Sequence, residues 1–204
     1  MGIYNDRILP HLIQLGMKQE VLRPIRQRLA GAAEGRVIEI GVGAGLNLPL
    51  YTSRVTAVTA IDPSPAMLAM ARNTAATAKV PVELEIGSAE SMPAEDASAD
   101  TVLSTWTLCS IPDVTRALAE VRRVLKPDGR LLFGEHGLAP DASVGRWQHR
   151  LTPVWKRCAG GCHLDRDIRA LVENAGFAIE HLRAGYLPGP RPLTFMYEGA
   201  ARPC

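Results

Sequence analysis

The sequence predicts an α/β fold, a mostly parallel sheet with helices on both faces, and three observations carry that expectation. Short, apolar, β-branched runs alternate with helix-period segments between residues 36 and 135, the rhythm of successive β-α-β units. The first run, Arg36-Val37-Ile38-Glu39-Ile40, breaks into an alternating-glycine turn, Gly41-Val42-Gly43-Ala44-Gly45. Such a turn at the carboxyl end of a first parallel strand marks the crevice where open α/β sheets bind ligands. After residue 137 the rhythm fails, and the chain closes with two strand-like runs, 177–183 and 193–199, around a Gly/Pro-rich connection. So short a return makes the last strand antiparallel. Seven strands are expected, one of them antiparallel.

In chain order, the first thirty or so residues read as amphipathic helix broken near Pro10, Gly16 and Pro24. Ile8, Leu9, Leu12, Ile13 and Leu15 offer one apolar face, and Val21, Leu22, Ile25 and Leu29 another. Residues 30–35 close this segment as a loop, so that 1–35 is expected to be a helical cover at one edge of the sheet. Behind the glycine turn, 47–52 reads as a short helix. The run 54–61 shows little alternation, as expected of a strand buried on both faces, and Asp62-Pro63 ends it. Ser64 is a good N-cap with Pro65 at the first helical position, predicting a helix over 66–78. Residues 82–86 and 101–107 read as the third and fourth strands, and Asp113 caps a helix running to Leu125. Lys126-Pro127-Asp128-Gly129 is a turn signal before a fifth strand at 130–135. Residues 137–165 carry Trp147, Leu151, Val154 and Trp155 at roughly helical spacing and are expected to form a helical lid insertion. Asp165 is expected to cap a further helix ending at Gly176. At 204 residues, a single domain spanning 1–204 is the default.

Composition narrows the partners. Hydrophobic residues make up 47% and charged residues 22% of the chain, and the net charge is +2, too mild for a nucleic-acid footprint. No apolar stretch reaches the ~20 residues that span a bilayer, and no leader-like segment opens the chain. A cytoplasmic protein acting on a small molecule is the expectation, with peripheral membrane contact left open; nothing in the sequence reports oligomeric state. Four cysteines, Cys109, Cys158, Cys162 and Cys204, are too few for a disulfide scaffold. Cys158, Cys162 and His163 are close in sequence, but no second ligand pair stands at familiar spacing, so no metal is expected.

The glycine spacing points to a ligand class. A dinucleotide fingerprint requires a third glycine where Leu46 stands, which argues against a nicotinamide oxidoreductase. Glu39-x-Gly41-x-Gly43-x-Gly45 instead resembles the pattern of class I methyltransferases that bind S-adenosylmethionine and release S-adenosylhomocysteine. Asp62, at the end of the second strand and followed by Pro63, is placed to accept both ribose hydroxyls of such a ligand. The resemblance implies a Rossmann-like seven-stranded sheet and further roles. Ser88 stands where an Asp commonly accepts from the adenine amino group, the Ala89 amide can donate to the ring, and Glu90 adjoins them. Glu39 either holds the turn or lies near the methionine moiety, with Asn47 close behind. The Thr105 carbonyl is expected to meet the ammonium group.

Three further segments narrow the likeness: 105–112 (Thr-Trp-Thr-Leu-Cys-Ser-Ile-Pro), 120–129 (Glu-Val-Arg-Arg-Val-Leu-Lys-Pro-Asp-Gly) and 133–136 (Phe-Gly-Glu-His). With the 147–155 segment and Gly161-Cys162-His163-Leu164 downstream, they are similar in order and spacing to the methyltransferase-like protein 7 family, the alkyl-thiol S-methyltransferases of animals. The likeness spans 37–204. The animal members carry an amino-terminal hydrophobic segment that associates with membrane; this sequence shows none, which implies a soluble relative. The resemblance implies methyl transfer to a small apolar acceptor, with an alkyl thiol placed first. Ubiquinone- or phospholipid-type methylation is the alternative, and a non-catalytic nucleoside-binding protein is the alternative from another class. Methyl transfer from a sulfonium needs alignment and an acceptor lone pair, which for a thiol of pKa ~8.5 means removing a proton. His136, at the end of the fifth strand, is the candidate base, with His149 and His163 behind it. Tyr4, Cys109 and Trp147 are candidate acceptor-site residues.

Overall fold

Alternation along the central strands sets the layers. In the computed structural model, which describes residues 8–204, Ile38 and Ile40 of β1 (Gly35–Ile40) face one core while Val37 faces another. With β2 (Val55–Asp62), β3 (Val82–Ile86), β4 (Ala99–Thr105), β5 (Leu125–His136), β6 (Phe177–Tyr186) and β7 (Phe195–Pro203), it forms one seven-stranded sheet, ordered β3-β2-β1-β4-β5-β7-β6. β7 runs antiparallel to both β5 and β6, and the other pairs are parallel. The expected seven-stranded, mostly parallel sheet is the one observed.

One core packs α4 (Val114–Val124) and α6 (Ile168–Asn174) against the sheet through Leu118, Val121, Ile168 and Val172. The opposite core packs α2 (Arg23–Ala32) and α3 (Pro65–Ala75) through Ile25, Leu29 and Leu68. The caps read from sequence are present: Met67 N–H donates to Ser64 Oγ at 3.3 Å and Arg116 N–H to Asp113 Oδ1 at 3.0 Å. Each side-chain oxygen satisfies an otherwise orphaned first-turn amide.

Several boundaries differ from expectation, each for a local reason. Pro10 and Pro24 do not break helices; they sit in the first turns of α1 (Leu9–Met17) and α2, where no N–H is needed. Of α1 only Leu9 and Pro10 are buried, while Ile8, Leu12 and Leu15 stay exposed. Residues 47–52 hold a short 3-10 turn at Leu48–Leu50. β4 stops at Thr105 because Trp106 takes φ +53, outside any strand conformation. The expected turn at 126–129 is a bulge within β5: Ala99 pairs with Leu125 and Thr101 with Arg130. Asp100, opposite the bulge, accepts from Lys126 Nζ at 2.5 Å and from Arg36 N–H at 2.7 Å, tying three strands together. α6 is capped by Asp167, which accepts from Ala170 N–H at 3.0 Å; Asp165 instead faces His149 Nδ1 at 2.9 Å.

The segment between β5 and α6 forms α5 (Ala142–Cys158). It is pinned by one fully buried side chain. Gln148 accepts from Ala139 N–H at 2.8 Å and donates to the Gly137 and Pro192 carbonyls at 3.0 and 3.2 Å. No helix among the described residues is long and apolar enough to cross a membrane. Gln148→Leu keeps the volume but strands an amide and two carbonyls, so urea unfolding should show a loss of about 1–3 kcal/mol or more. A loss under about 0.5 kcal/mol, the level of an ordinary surface change, would contradict this pinning.

Candidate active site

The turn after β1 is held to the end of β2 by backbone and carboxylate alike. Gly41 and Val42 N–H donate to the Ile61 carbonyl at 2.8 and 3.1 Å. Gly43 N–H donates to Asp62 Oδ2 at 2.9 Å, and Ser64 N–H to Asp62 Oδ1 at 2.8 Å. Two positions require glycine. Gly41 has φ +64, and a Cβ there would fall 2.3 Å from Thr107 Oγ1. At Gly43, φ is +56 and the nearest obstacle to a Cβ is the flexible tip of Met67 at 3.3 Å; a side chain would crowd the crevice mouth. Burial pushes the Asp62 carboxyl up from the usual range while the two N–H donors draw it down. Each of its oxygens takes one protein donor and keeps acceptor capacity for a ligand.

Beneath the turn lies a buried polar network. Glu39 accepts from Asn47 Nδ2 at 2.9 Å and from Tyr51 OH at 2.7 Å. Arg26 Nη1 donates to Asn47 Oδ1 at 3.0 Å and to Thr105 Oγ1 at 3.3 Å, and its guanidinium lies 4.6 Å from the Trp106 ring centroid. Burial pushes Glu39 up to about 6, opposed by its hydrogen bonds and Arg26, and draws Arg26 down to about 10. Arg26 Nε has no hydrogen-bond partner among the described residues, and the residue lines the cavity described below.

The loop from β4 to α4 folds around a second buried acid. Glu135 accepts from Ser104 Oγ at 2.7 Å, Thr107 N–H at 3.1 Å and Cys109 N–H at 3.3 Å. It sits fully buried, which raises its carboxyl to about 7 against those donors. The next residue, His136, points its ring to the opposite side of β5. Its Nδ1 lies 3.7 Å from Cys162 Sγ, and its Nε2 is buried without a partner among the described residues.

These groups surround a cavity of about 780 Å³. Of the expected site residues, Gly41, Gly43, Asp62, Pro63, Ser88, Ala89, Thr105, Cys109 and His136 line it. Glu39, Gly45 and Asn47 lie behind the wall as supports. Glu90 accepts from Asp113 N–H at 2.6 Å and Ser88 Oγ at 3.1 Å, so it joins the 88–91 loop to the α4 cap rather than facing the cavity. Trp147 does not line this cavity: it stands 55% exposed on α5, whose buried positions are Val144, Gly145, Gln148 and Thr152. Tyr4 lies outside the described residues. His149 and His163 turn to Asp165. The sequence reading missed Arg26 and Cys162 as cavity-lining residues; a cation between Ile25 and Leu29 on an apolar helix face was the one available signal for Arg26.

The adenosyl cofactor implied by the sequence fits this cavity. The glycine turn leaves the approach open, Asp62 keeps acceptor capacity, and Arg26 Nε and His136 Nε2 are buried polar atoms without partners. The volume falls within the usual range for small-molecule sites.

Residues 38–133 match the family described as "Methyltransferase domain". The chain is 34% identical over 165 residues to the thiol S-methyltransferase TMT1B of Rattus norvegicus, covering 79% of this chain and 67% of that one. It is 30% identical over 190 residues to the thiol S-methyltransferase TMT1A of Homo sapiens, covering 89% and 75%. A putative methyltransferase from Bacillus halodurans C-125 shares the fold at TM-score 0.71 and 19% identity, covering 90% of this chain and 99% of that one.

A carboxyl held near 7 in the folded chain and near ~4.3 unfolded binds an extra proton between those values. The Glu135 contribution therefore favours folding fully below about 4 and is lost as pH rises through 7. Urea titrations should give lower stability at pH 8 than at pH 5, by up to about 3 kcal/mol from this group. The drop should shrink in Glu135→Gln; an unchanged drop would contradict the assignment.

Proposed function

The chain belongs to the S-adenosylmethionine-dependent methyltransferases, in the family that contains the thiol S-methyltransferases, and we propose that its acceptor is a small apolar thiol. The observation that carries the proposal is His136: a buried imidazole at the cavity wall with Nε2 unpartnered. The same cavity is lined by the apolar side chains of Trp106, Trp155, Leu9, Ile13 and Met196. A pocket of this make-up favours an apolar acceptor carrying one polar, deprotonatable atom.

When bound, S-adenosylmethionine supplies a methyl group on a positively charged sulfur, with a neutral thioether as the leaving group. Asp62 would hold the ribose hydroxyls through its remaining acceptor positions. Ser88 Oγ and the Ala89 amide would meet the adenine. Arg26, through its free Nε, and Thr105 would hold the amino-acid end, with Asn47 and Glu39 fixing them from below. His136 Nε2 would take the proton from the acceptor thiol, so that a thiolate faces the electrophile. α1 and α5, which carry cavity-lining residues, would exclude water and align the acceptor, an arrangement able to supply several kcal/mol of rate by positioning alone. The buried Glu135 holds the 105–111 loop so that the Cys109 end of the wall does not move.

Calorimetry with S-adenosylhomocysteine should show Asp62→Ala weakening Kd by about tenfold or more, the worth of one charge-assisted pair. Retained affinity in a folded variant would remove the ribose assignment. With labelled donor, alkyl thiols should outpace phenols, quinols and amines as acceptors. His136→Ala should lose about 10²-fold in kcat toward an alkyl thiol at pH 7 and recover as pH approaches the pKa of the free thiol. Unchanged turnover across pH would overturn its role as base.

A further inference from the structure

Two cysteines that methyl transfer does not use meet at the wall of the same cavity. Cys109 lies in the loop after β4, and Cys162 follows α5; both line the cavity. The two segments are built to touch. His163 N–H donates to the Cys109 carbonyl at 2.8 Å. Gly161 has φ +87, and a Cβ there would come 2.9 Å from the Ser110 carbonyl, so only glycine allows this approach. These contacts bring Cys109 and Cys162 to the same stretch of the cavity wall.

Their surroundings are unequal. Cys162 Sγ lies 3.7 Å from His136 Nδ1. The Trp155 indole N–H, buried without a hydrogen-bond partner among the described residues, belongs to the same cavity wall. The neighbouring Cys109 and the His136 imidazole draw the Cys162 thiol down from its ordinary value. Cys109 is fully enclosed, and the neighbouring Cys162, its burial and the charge of Glu135 push its thiol well up. A thiolate open to a cavity, backed by a buried thiol, is the division of labour in disulfide exchange: the first attacks and the second resolves.

We propose that Cys162 and Cys109 are a nucleophilic and a resolving cysteine, giving the protein a second activity: thiol–disulfide exchange with small apolar disulfides that enter the acceptor cavity. The Cys162 thiolate attacks one sulfur of R–S–S–R; the Cys162–S bond forms as the S–S bond of that disulfide breaks, giving Cys162–S–S–R and a leaving R–S⁻. Cys109 then gives up its proton to that thiolate or to His136 and attacks the Cys162 sulfur. The bond to the remaining R–S group breaks, a second thiolate leaves, and a Cys109–Cys162 disulfide remains. One disulfide is reduced to two thiols while two protein thiols are oxidised, and a small dithiol restores the pair by the reverse exchange. The step needs no methyl donor, so it stands or falls apart from the thiol-acceptor reading.

The test uses the full chain, reduced, desalted and free of methyl donor, with dibutyl disulfide as the probe. Peptide mapping scores the exposed Cys158 and Cys204 separately. Wild type should release two butanethiols per cavity pair and yield a Cys109–Cys162 cross-linked peptide. Cys109→Ser should stop after one butanethiol and keep a butylthio group on Cys162. Cys162→Ser should slow release at the cavity by at least about tenfold. A stable Cys162 adduct in wild type without cross-link, first modification at Cys109, or a Cys162→Ser variant reacting at the wild-type rate would each overturn the proposal; the wild-type mapping decides even if a variant fails to fold.

Discussion

The carboxylate of Asp62 is bonded to an N–H from the turn after β1 on one oxygen and to an N–H from the turn after β2 on the other. That double attachment fixes the crest of the sheet. The glycine turn cannot move without breaking a buried charge-assisted hydrogen bond, and Asp62 cannot rotate without abandoning both donors. The same constraint that shapes the turn therefore orients the acceptor group a nucleoside would meet. Preorganisation of this kind removes an ordering cost from binding.

Below and beside the crest, two buried acids divide the support. Glu39 is held by Asn47 and Tyr51 and sits near Arg26, stabilising the floor on the β1 side. Glu135 is held by one hydroxyl and backbone amides of the loop after β4, stabilising the wall on the β5 side. Burial dominates the electrostatics of both, and each is tolerated because its lone pairs are met. The cavity lining combines polar residues, among them Asp62, Ser88 and Thr105, with apolar ones such as Trp155, Leu9 and Ile13.

Much of this was legible in the sequence because it depends on local rules. The β-α rhythm, the Gly41–Gly45 spacing, the Ser64 and Asp113 caps and the antiparallel end of the sheet all follow from neighbours in the chain. What was not legible depends on contacts between distant residues. Trp147 and Trp155 lie on the same helix, yet only Trp155 lines the cavity, because Gln148 sets the rotation of α5 through partners at Gly137, Ala139 and Pro192. Arg26 reads as one basic residue among many until Asn47 and Thr105 are brought to it from 21 and 79 residues away. Cys109 and Cys162 read as scattered cysteines until the Gly161 backbone lets their segments touch. Trp106, with its positive φ, ended β4 two residues early where the apolar pattern alone ran on.

The central claim is that one cleft holds the adenosyl group on Asp62 and presents its sulfur end toward His136. A crystal structure with S-adenosylhomocysteine tests it most directly. The account predicts both ribose hydroxyls within hydrogen-bond distance of the Asp62 carboxylate, the adenine beside Ser88 and Ala89, and the sulfur facing the cavity bounded by His136. A nucleoside bound with Asp62 uncontacted, or with its sulfur turned away from that cavity, would contradict it.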